Sequence, residues 1–136
     1  MKIGVPKEIK PQEHRIGLNP DSVKTLVSEG HEVIVENNGG FEAGFDNEQY
    51  TNAGAKIADN ASDIFNDAEI IVKVKEPQKV EVDMIRENQI IYTYLHLAAA
   101  KELTEGLIKS KSINIAYETV TDDNGRLPLL APMSAV

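Results

Sequence analysis

The stretch "NPDSVKTLVSEGHEVIVE", residues 19–36, places a helix signal directly before a strand signal. Asn19 is a typical helix N-cap, Pro20 suits the first helical turn, and Gly30 suits the position just after a helix ends. Three aliphatic residues between them recur at helical spacing: Val23, Leu26 and Val27. The run "HEVIVE" (31–36) that follows is rich in β-branched residues. We therefore predict a helix that leads into a buried strand.

Four more runs of the same β-rich kind lie on either side of this unit. They are "KIGVP" (2–6), "IIVKVK" (70–75), "QIIYTYL" (89–95) and "INIAYE" (113–118). Nearly continuous apolar strands are typical of a parallel sheet that is covered on both faces. The pattern predicts an α/β fold with three layers, in which helices cover both faces of a mainly parallel sheet of about five strands.

The segments between the strands are compatible with helices. The segment "AAAKELTEGLIKSK" (98–111) predicts a helix with one apolar face, formed by Leu103, Leu107 and Ile108. We expect one or two short helices within residues 47–67 and another over residues 82–88. Residues 1–120 then form one domain, and residues 121–136, with a polar turn and two prolines, form a segment that leaves it.

Composition and charge exclude several classes of partner. The formal net charge of −8 repels a phosphate backbone or an anionic membrane surface, so we expect no nucleic acid partner. The sequence contains no cysteine, which excludes disulfides and thiolate metal sites. No apolar stretch approaches the length of a signal peptide or a membrane span. We therefore expect a cytoplasmic protein.

Ionisable residues follow the predicted strands. Arg15 lies after the first strand, Lys73 and Lys75 end the third, His96 follows the fourth and Glu118 ends the fifth. In a parallel sheet, ligands collect at the carboxyl ends of the strands. Because side chains alternate along a strand, we expect Lys73 and Lys75 to share one face of the sheet.

This group of side chains suits a small carboxylate that carries a carbonyl. A guanidinium binds a carboxylate with two charge-assisted hydrogen bonds, and an ammonium binds the same acid or polarises the neighbouring oxygen. An imidazole titrates near neutrality and exchanges a proton at that oxygen. The combination of Arg15, one of the two lysines and His96 therefore predicts a site for a small 2-oxo acid.

Each of these residues also has a structural interpretation. A single histidine at a strand end is often a hydrogen-bonded boundary residue, Lys75 alone suits a solvated strand end, and Arg15 suits a surface ion pair. No histidine pair has metal-ligand spacing, so we predict no metal site. The loop "GGFEAGFD" (39–46) lacks the lysine and hydroxyl residue of a phosphate loop, and no G-x-G-x-x-G occurs.

Four ordered segments of this sequence closely resemble the N-terminal part of bacterial alanine dehydrogenases. They are "GVPKEIKPQEHRIGLNPDSV" (4–23), "IIVKVKEP" (70–77), "YTYLHLA" (92–98) and "IAYETV" with "LPLLAPMS" (115–120 and 127–134). The resemblance extends along essentially the whole chain. Together with the strand pattern it implies a Rossmann-like or flavodoxin-like domain, with residues 1–120 forming the substrate-binding and catalytic unit.

The resemblance implies a role for individual residues. The arginine of the E-x-R segment, Arg15, would bind the substrate carboxylate, and the lysine before "EP", Lys75 rather than Lys73, would bind the substrate as well. His96 of "YLHLA" would be the general acid and base. Met133 and Ser134 would lie near the nicotinamide of the cofactor. The residue after them, Ala135, stands where many relatives carry an acidic residue.

In this family the enzyme interconverts L-alanine with pyruvate and ammonium, using NAD. The resemblance implies that NAD is bound mainly by a Rossmann domain that lies beyond residues 121–136 in relatives, so we expect this chain alone to be inactive. We expect pyruvate or L-alanine as substrate and a homo-oligomer of the full-length protein. Two alternatives stay open: the corresponding part of a nicotinamide nucleotide transhydrogenase, and a stand-alone interaction module.

Overall fold

The computed structural model describes residues 1–93 and 101–116, and within them it shows one six-stranded, fully parallel sheet. The strands are β1 (Lys2–Val5), β2 (Glu32–Glu36), β3 (Lys56–Ala58), β4 (Ile70–Val72), β5 (Ile90–Thr93) and β6 (Ile113–Ala116). They lie in the order β3-β2-β1-β4-β5-β6. This order is typical of Rossmann folds, so the predicted fold class is confirmed.

Helices cover both faces of the sheet. They are α1 (Pro20–Ser28), α2 (Asn47–Asn52), α3 (Ala61–Asp67), α4 (Lys79–Val82) and α5 (Lys101–Ser110), with a short 3-10 turn at Phe41–Ala43. One apolar cluster joins α1 and α2 to the face that carries Val5, Val33 and Val35. The other joins α3, α4 and α5 to the face that carries Ile34, Ile71 and Ile91. Alternate residues of the strands thus supply the two halves of the core.

The helix and strand of residues 19–36 form as the sequence predicts. The amide of Ser22 donates a hydrogen bond of 2.8 Å to the Oδ1 atom of Asn19, which caps α1. Gly30 follows the helix with a φ of 94°, a conformation that glycine adopts without strain. Val23, on the side of α1 that faces the sheet, is completely buried. The local signals and the tertiary packing agree here.

Three details differ from the sequence prediction. A sixth strand, β3, lies at the edge of the sheet within residues 47–67, where only helices are predicted; it has three residues and no fully buried side chain. The helix expected over residues 82–88 is not found; α4, which follows a capping box of Gln78 and Glu81, ends at Val82, and residues 83–88 are not helical. In α5, Leu107 is buried, but Ile108 is 72% exposed and does not share its face.

Gly4 in β1 allows α3 to pack directly on the centre of the sheet. A Cβ atom at this position would lie 2.5 Å from Cγ2 of Ile64 and 2.7 Å from Cβ of Ala68. Both distances are shorter than van der Waals contact permits, so any larger residue would push the helix outward.

Among the residues that the structure describes, no helix is long and apolar enough to cross a bilayer.

Candidate active site

The long loop between β1 and α1, residues 6–19, lies over the carboxyl end of β4 in direct backbone contact. A Cβ atom on Gly17 would lie 2.5 Å from the carbonyl oxygen of Val72 and 2.9 Å from its carbonyl carbon. Only glycine allows such an approach, because the neighbouring atoms belong to the main chain and cannot rotate away. Gly17 therefore brings Arg15, two residues earlier, to the end of the strand.

We expect Gly17→Ala to lift this loop from the sheet. The added methyl group should lower the free energy of unfolding by about 1–3 kcal/mol, the usual cost of overpacking. Gly106→Ala in α5 is the matched control, because its Cβ would meet the Cγ1 side-chain atom of Val82 at 2.8 Å rather than main chain. Denaturant unfolding checks this: equal stabilities of the two variants would contradict the proposed contact.

Glu8 ties the end of β4 to the loop after β1. Its Oε2 atom accepts a hydrogen bond of 3.1 Å from the amide of Val74. Its Oε1 atom accepts bonds of 3.1 Å from the amide of Lys75 and of 3.1 Å from Nζ of Lys73. Because this carboxylate takes the amides that would continue the strand, β4 ends at Val72 rather than at the predicted residue 75. Glu8 thereby fixes the main chain that carries Lys75.

Lys73 is buried beneath this site and not on its surface. Its side chain is 1% exposed, and Nζ lies 3.1 Å from Glu8 and 3.0 Å from Oε2 of Glu81. Burial raises the pKa of the Glu81 carboxyl, although the nearby Lys73 ammonium opposes the rise. The prediction that Lys73 and Lys75 share one face is wrong, because strand alternation ends at Val72. Lys75 is only half-buried.

Arg15 and Glu13 form a bidentate ion pair in the loop between β1 and α1. Nε of Arg15 donates to Oε2 of Glu13 at 2.9 Å, and Nη2 donates to Oε1 at 2.8 Å. The Glu13 side chain is 6% exposed, whereas that of Arg15 is 54% exposed. These hydrogen bonds, together with the nearby charge of Lys75, lower the pKa of Glu13 to about 2. Arg15 therefore binds this carboxylate directly, and the charge of Lys75 favours its ionised form.

Thr93 connects Lys75 to the strand that precedes His96. The Thr93 hydroxyl is buried and donates a 2.8 Å hydrogen bond to the carbonyl oxygen of Lys75. The end of β5 is thus held against the end of β4, three residues before His96 in the sequence. His96 itself, Met133 and Ser134 lie outside the described residues, so their predicted positions remain predictions.

An open cavity of about 370 Å³ borders Arg15 on the side of α1. It is lined by Arg15, Ile16, Gly17, Asn19, Ser22, Ala43, Phe45 and Val74. Lys75 is not among these residues, so the cavity borders Arg15 but not Lys75. We infer that it adjoins the site and does not coincide with it.

The sequence pattern points to Arg15 and Lys75 as candidate site residues but not to the groups that hold them. Glu8, Glu13 and Gly17 were not singled out, although all three lie in the loop that carries Arg15. The spacing of Glu13 and Arg15, two residues apart in an irregular segment, was the available signal for a side-chain pair. Nothing in the sequence alone shows that Glu8 reaches the end of β4.

The chain does not provide the usual site for a dinucleotide at its first strand. A Rossmann pyrophosphate site needs a short glycine-rich turn and free amides at the start of the following helix. Here β1 and α1 are separated by residues 6–19, and Pro20 in the first turn has no N–H.

Among the described residues, no group of three or more His, Asp or Glu side chains could hold a metal ion.

The strand order and the cationic groups at the carboxyl edge define a Rossmann-type α/β domain with a candidate site for an anion. The sequence profile of the family "Alanine dehydrogenase/PNT, N-terminal domain" matches residues 4–136. The chain belongs to this family.

Similar proteins of known name agree with this assignment. The chain is 51% identical over 136 residues to an alanine dehydrogenase of Staphylococcus epidermidis and 50% identical to one of Halomonas elongata. A solved L-alanine dehydrogenase structure matches 98% of the chain with a TM-score of 0.95 and 53% identity. A transhydrogenase from Sinorhizobium meliloti matches 87% of it with a TM-score of 0.81 and 26% identity.

The match covers only part of each relative. The whole chain aligns with 36% of the Staphylococcus epidermidis protein and with 37% of the solved L-alanine dehydrogenase chain. The chain therefore corresponds to about one third of the length of these relatives.

Proposed function

We propose that this chain is the substrate-binding and catalytic part of an NAD-dependent L-alanine dehydrogenase, which interconverts L-alanine with pyruvate and ammonium. The observation that supports the proposal best is the exposed guanidinium of Arg15, which Glu13 holds at the end of β4, where Glu8 and Thr93 fix the main chain of Lys75. A guanidinium and an ammonium at the same edge of the sheet suit the carboxylate of pyruvate or L-alanine. The identity to proteins named alanine dehydrogenase supports the same reaction.

In this proposal each residue has a separate task. Arg15 binds the substrate carboxylate, and Lys75, whose main chain is held by Glu8 and Thr93, binds the substrate beside it. His96 moves a proton at the substrate oxygen. Met133 and Ser134 lie near the nicotinamide. NAD, which would exchange a hydride with the substrate, is bound mainly by a region outside this chain.

The remaining expectations belong to the same proposal. The enzyme is cytoplasmic and homo-oligomeric in its full length, and residues 121–136 lead from this domain towards the NAD-binding region. The chain by itself is inactive, because the nicotinamide must be held against the substrate carbon for the reaction to proceed.

A hybrid enzyme tests the proposal. The chain is joined after Val136 to the sequence that follows the matching region in the Staphylococcus epidermidis relative, and alanine-dependent reduction of NAD is measured. We expect activity in the hybrid and none in the chain alone. Arg15→Ala should raise the KM for L-alanine at least about tenfold, the loss expected for a charge-assisted contact. Lys56→Ala, at the far edge of the sheet, is the control.

The same assay separates the alternatives. A soluble, folded hybrid without alanine-dependent activity would contradict the proposal. Activity with an unchanged KM in Arg15→Ala would contradict the role of Arg15. A folded hybrid that lacks alanine-dependent activity, with or without Arg15, would favour a transhydrogenase-like domain that has no substrate carboxylate site.

A further inference from the structure

Glu8 joins the two loops that carry Arg15 and Lys75. It belongs to residues 6–19, the loop that holds Arg15, and it accepts hydrogen bonds of 3.1 Å from the main-chain amides of Val74 and Lys75. Its side chain is 2% exposed, so it is not available to a ligand. Any influence of Glu8 on a substrate therefore has to act through the residues that it holds.

A second contact between the same two loops lies closer to the surface. Nζ of Lys10 donates a hydrogen bond to Oε1 of Glu76, and these side chains are 39% and 15% exposed. Ion pairs that water reaches usually contribute little. The buried contact of Glu8 is therefore the stronger of these two constraints on the main chain at Lys75.

The contacts of Glu8 need a carboxylate. Its two oxygens accept hydrogen bonds from two main-chain amides and from Nζ of Lys73, whose side chain is 1% exposed. A glutamine offers one oxygen, and its side-chain NH2 group would face a group that also donates. Replacing a buried ion pair with apolar residues of similar size is often neutral or stabilising, so stability alone does not account for these charges.

We propose that Glu8 is a positioning residue for the substrate: it fixes the main chain of Lys75 so that the ammonium of Lys75 reaches the substrate that Arg15 binds. Lys73 contributes to the same task, because its ammonium holds the carboxylate of Glu8 in place. This inference rests on the proposed function and goes beyond it, since Glu8 acts on the substrate only through Lys75.

Hydrogen exchange in the full 136-residue chain tests the structural step without a ligand. In Glu8→Gln at least one of the amides of Val74 and Lys75 loses its acceptor, so its exchange, measured by NMR, should be at least about tenfold faster than in the unsubstituted chain. The amide of Lys73 donates to the carbonyl oxygen of Tyr92 at 3.0 Å. It is the internal reference, and its exchange rate should change much less.

Two variants separate the hydrogen bonds of Glu8 from its charge. Glu81→Gln removes the other carboxylate beside Lys73, at 3.0 Å, which accepts from neither amide, so both amides should keep exchange rates within about twofold. Glu8→Asp keeps the negative charge but is one methylene shorter. It should also lose at least one amide contact, and it provides the same test if Glu8→Gln does not fold.

A double-mutant cycle of pyruvate binding tests the functional step in the same chain, with the side-chain nitrogens of Arg15 observed by NMR. Glu8→Gln should raise the dissociation constant of pyruvate about 5- to 10-fold, because Lys75 is no longer held beside the substrate. In the background of Lys75→Met, where no ammonium remains to be positioned, the same substitution should change it less than about twofold. A role in stability alone would act equally in both backgrounds.

The outcomes distinguish this inference from the function on which it rests. Unchanged exchange of both amides in Glu8→Gln, or equal losses of pyruvate affinity with and without Lys75, would contradict the inference while the proposed function stands. No binding of pyruvate by the unsubstituted chain would contradict the proposed substrate site, and the inference with it. Faster amide exchange, together with a loss of affinity that requires Lys75, is the result that we expect.

Discussion

Lys73→Met should lower the free energy of unfolding of this chain by about 3–5 kcal/mol, the usual cost of removing one partner from a buried ion pair. The ammonium of Lys73 is 1% exposed and lies within 3.1 Å of two carboxylates that are themselves buried, those of Glu8 and Glu81. Methionine fills a similar volume but has no charge. The variant therefore leaves two carboxylates close together, out of water and without their cation.

Two substitutions make this prediction specific to the cation. In Glu81→Gln the amide oxygen still accepts the hydrogen bond that Oε1 of Glu81 accepts from the amide of Gln78. Because Lys73 keeps its second partner, Glu8, at 3.1 Å, this variant should lose less stability than Lys73→Met. Lys75→Met, at a half-buried position, should also be mild. Denaturant unfolding gives all three values, and a loss below 1 kcal/mol in Lys73→Met would show that the buried ammonium is not essential.

His96→Ala should reduce the turnover number of the hybrid enzyme by about 10²- to 10⁴-fold, the usual contribution of general acid and base catalysis. The imidazole of His96 would exchange a proton with the substrate oxygen, whereas the methyl side chain that replaces it in the variant has no group that titrates. Because substrate binding is assigned to Arg15 and Lys75, the KM for L-alanine should change much less than the turnover number.

Steady-state rates of alanine-dependent NAD reduction check this prediction. His14→Ala is the matched control, since His14 is an exposed histidine that pairs with Glu42 at 2.8 Å and is assigned no role in the reaction. Turnover in His96→Ala equal to that of the unsubstituted hybrid would reject the proposed proton transfer. An equal loss in His14→Ala would assign the effect to something other than His96.

The fold was predictable because strong local signals agree with the tertiary structure. The cap at Asn19, the glycine at Gly30 and the β-branched run in β2 all specify the same helix and strand. Strand β3 was missed because its three residues are half-buried or exposed and lie at the edge of the sheet. Such a strand is stabilised by pairing with β2, which its own sequence does not reveal.

The cations of the candidate site were predictable to a lesser degree. Parallel strands place their carboxyl ends at one edge, which is why Arg15 and Lys75 could be expected near each other. Strand alternation could not separate Lys73 from Lys75, because the strand ends early where Glu8 binds the amides of Val74 and Lys75. A contact made across more than sixty residues of sequence leaves no local pattern.

The central claim is that Arg15 and Lys75 bind the same small carboxylate at the carboxyl edge of the sheet. Titration of the chain with pyruvate labelled with ¹³C at its carboxylate tests it most directly, with the carboxylate signal and the side-chain nitrogens of both residues observed by NMR. We predict that the signals of Arg15 and Lys75 shift together with one dissociation constant, while the side-chain nitrogen of the buried Lys73 shifts little. A pyruvate-dependent shift at only one of the two residues, or at neither, would contradict the claim.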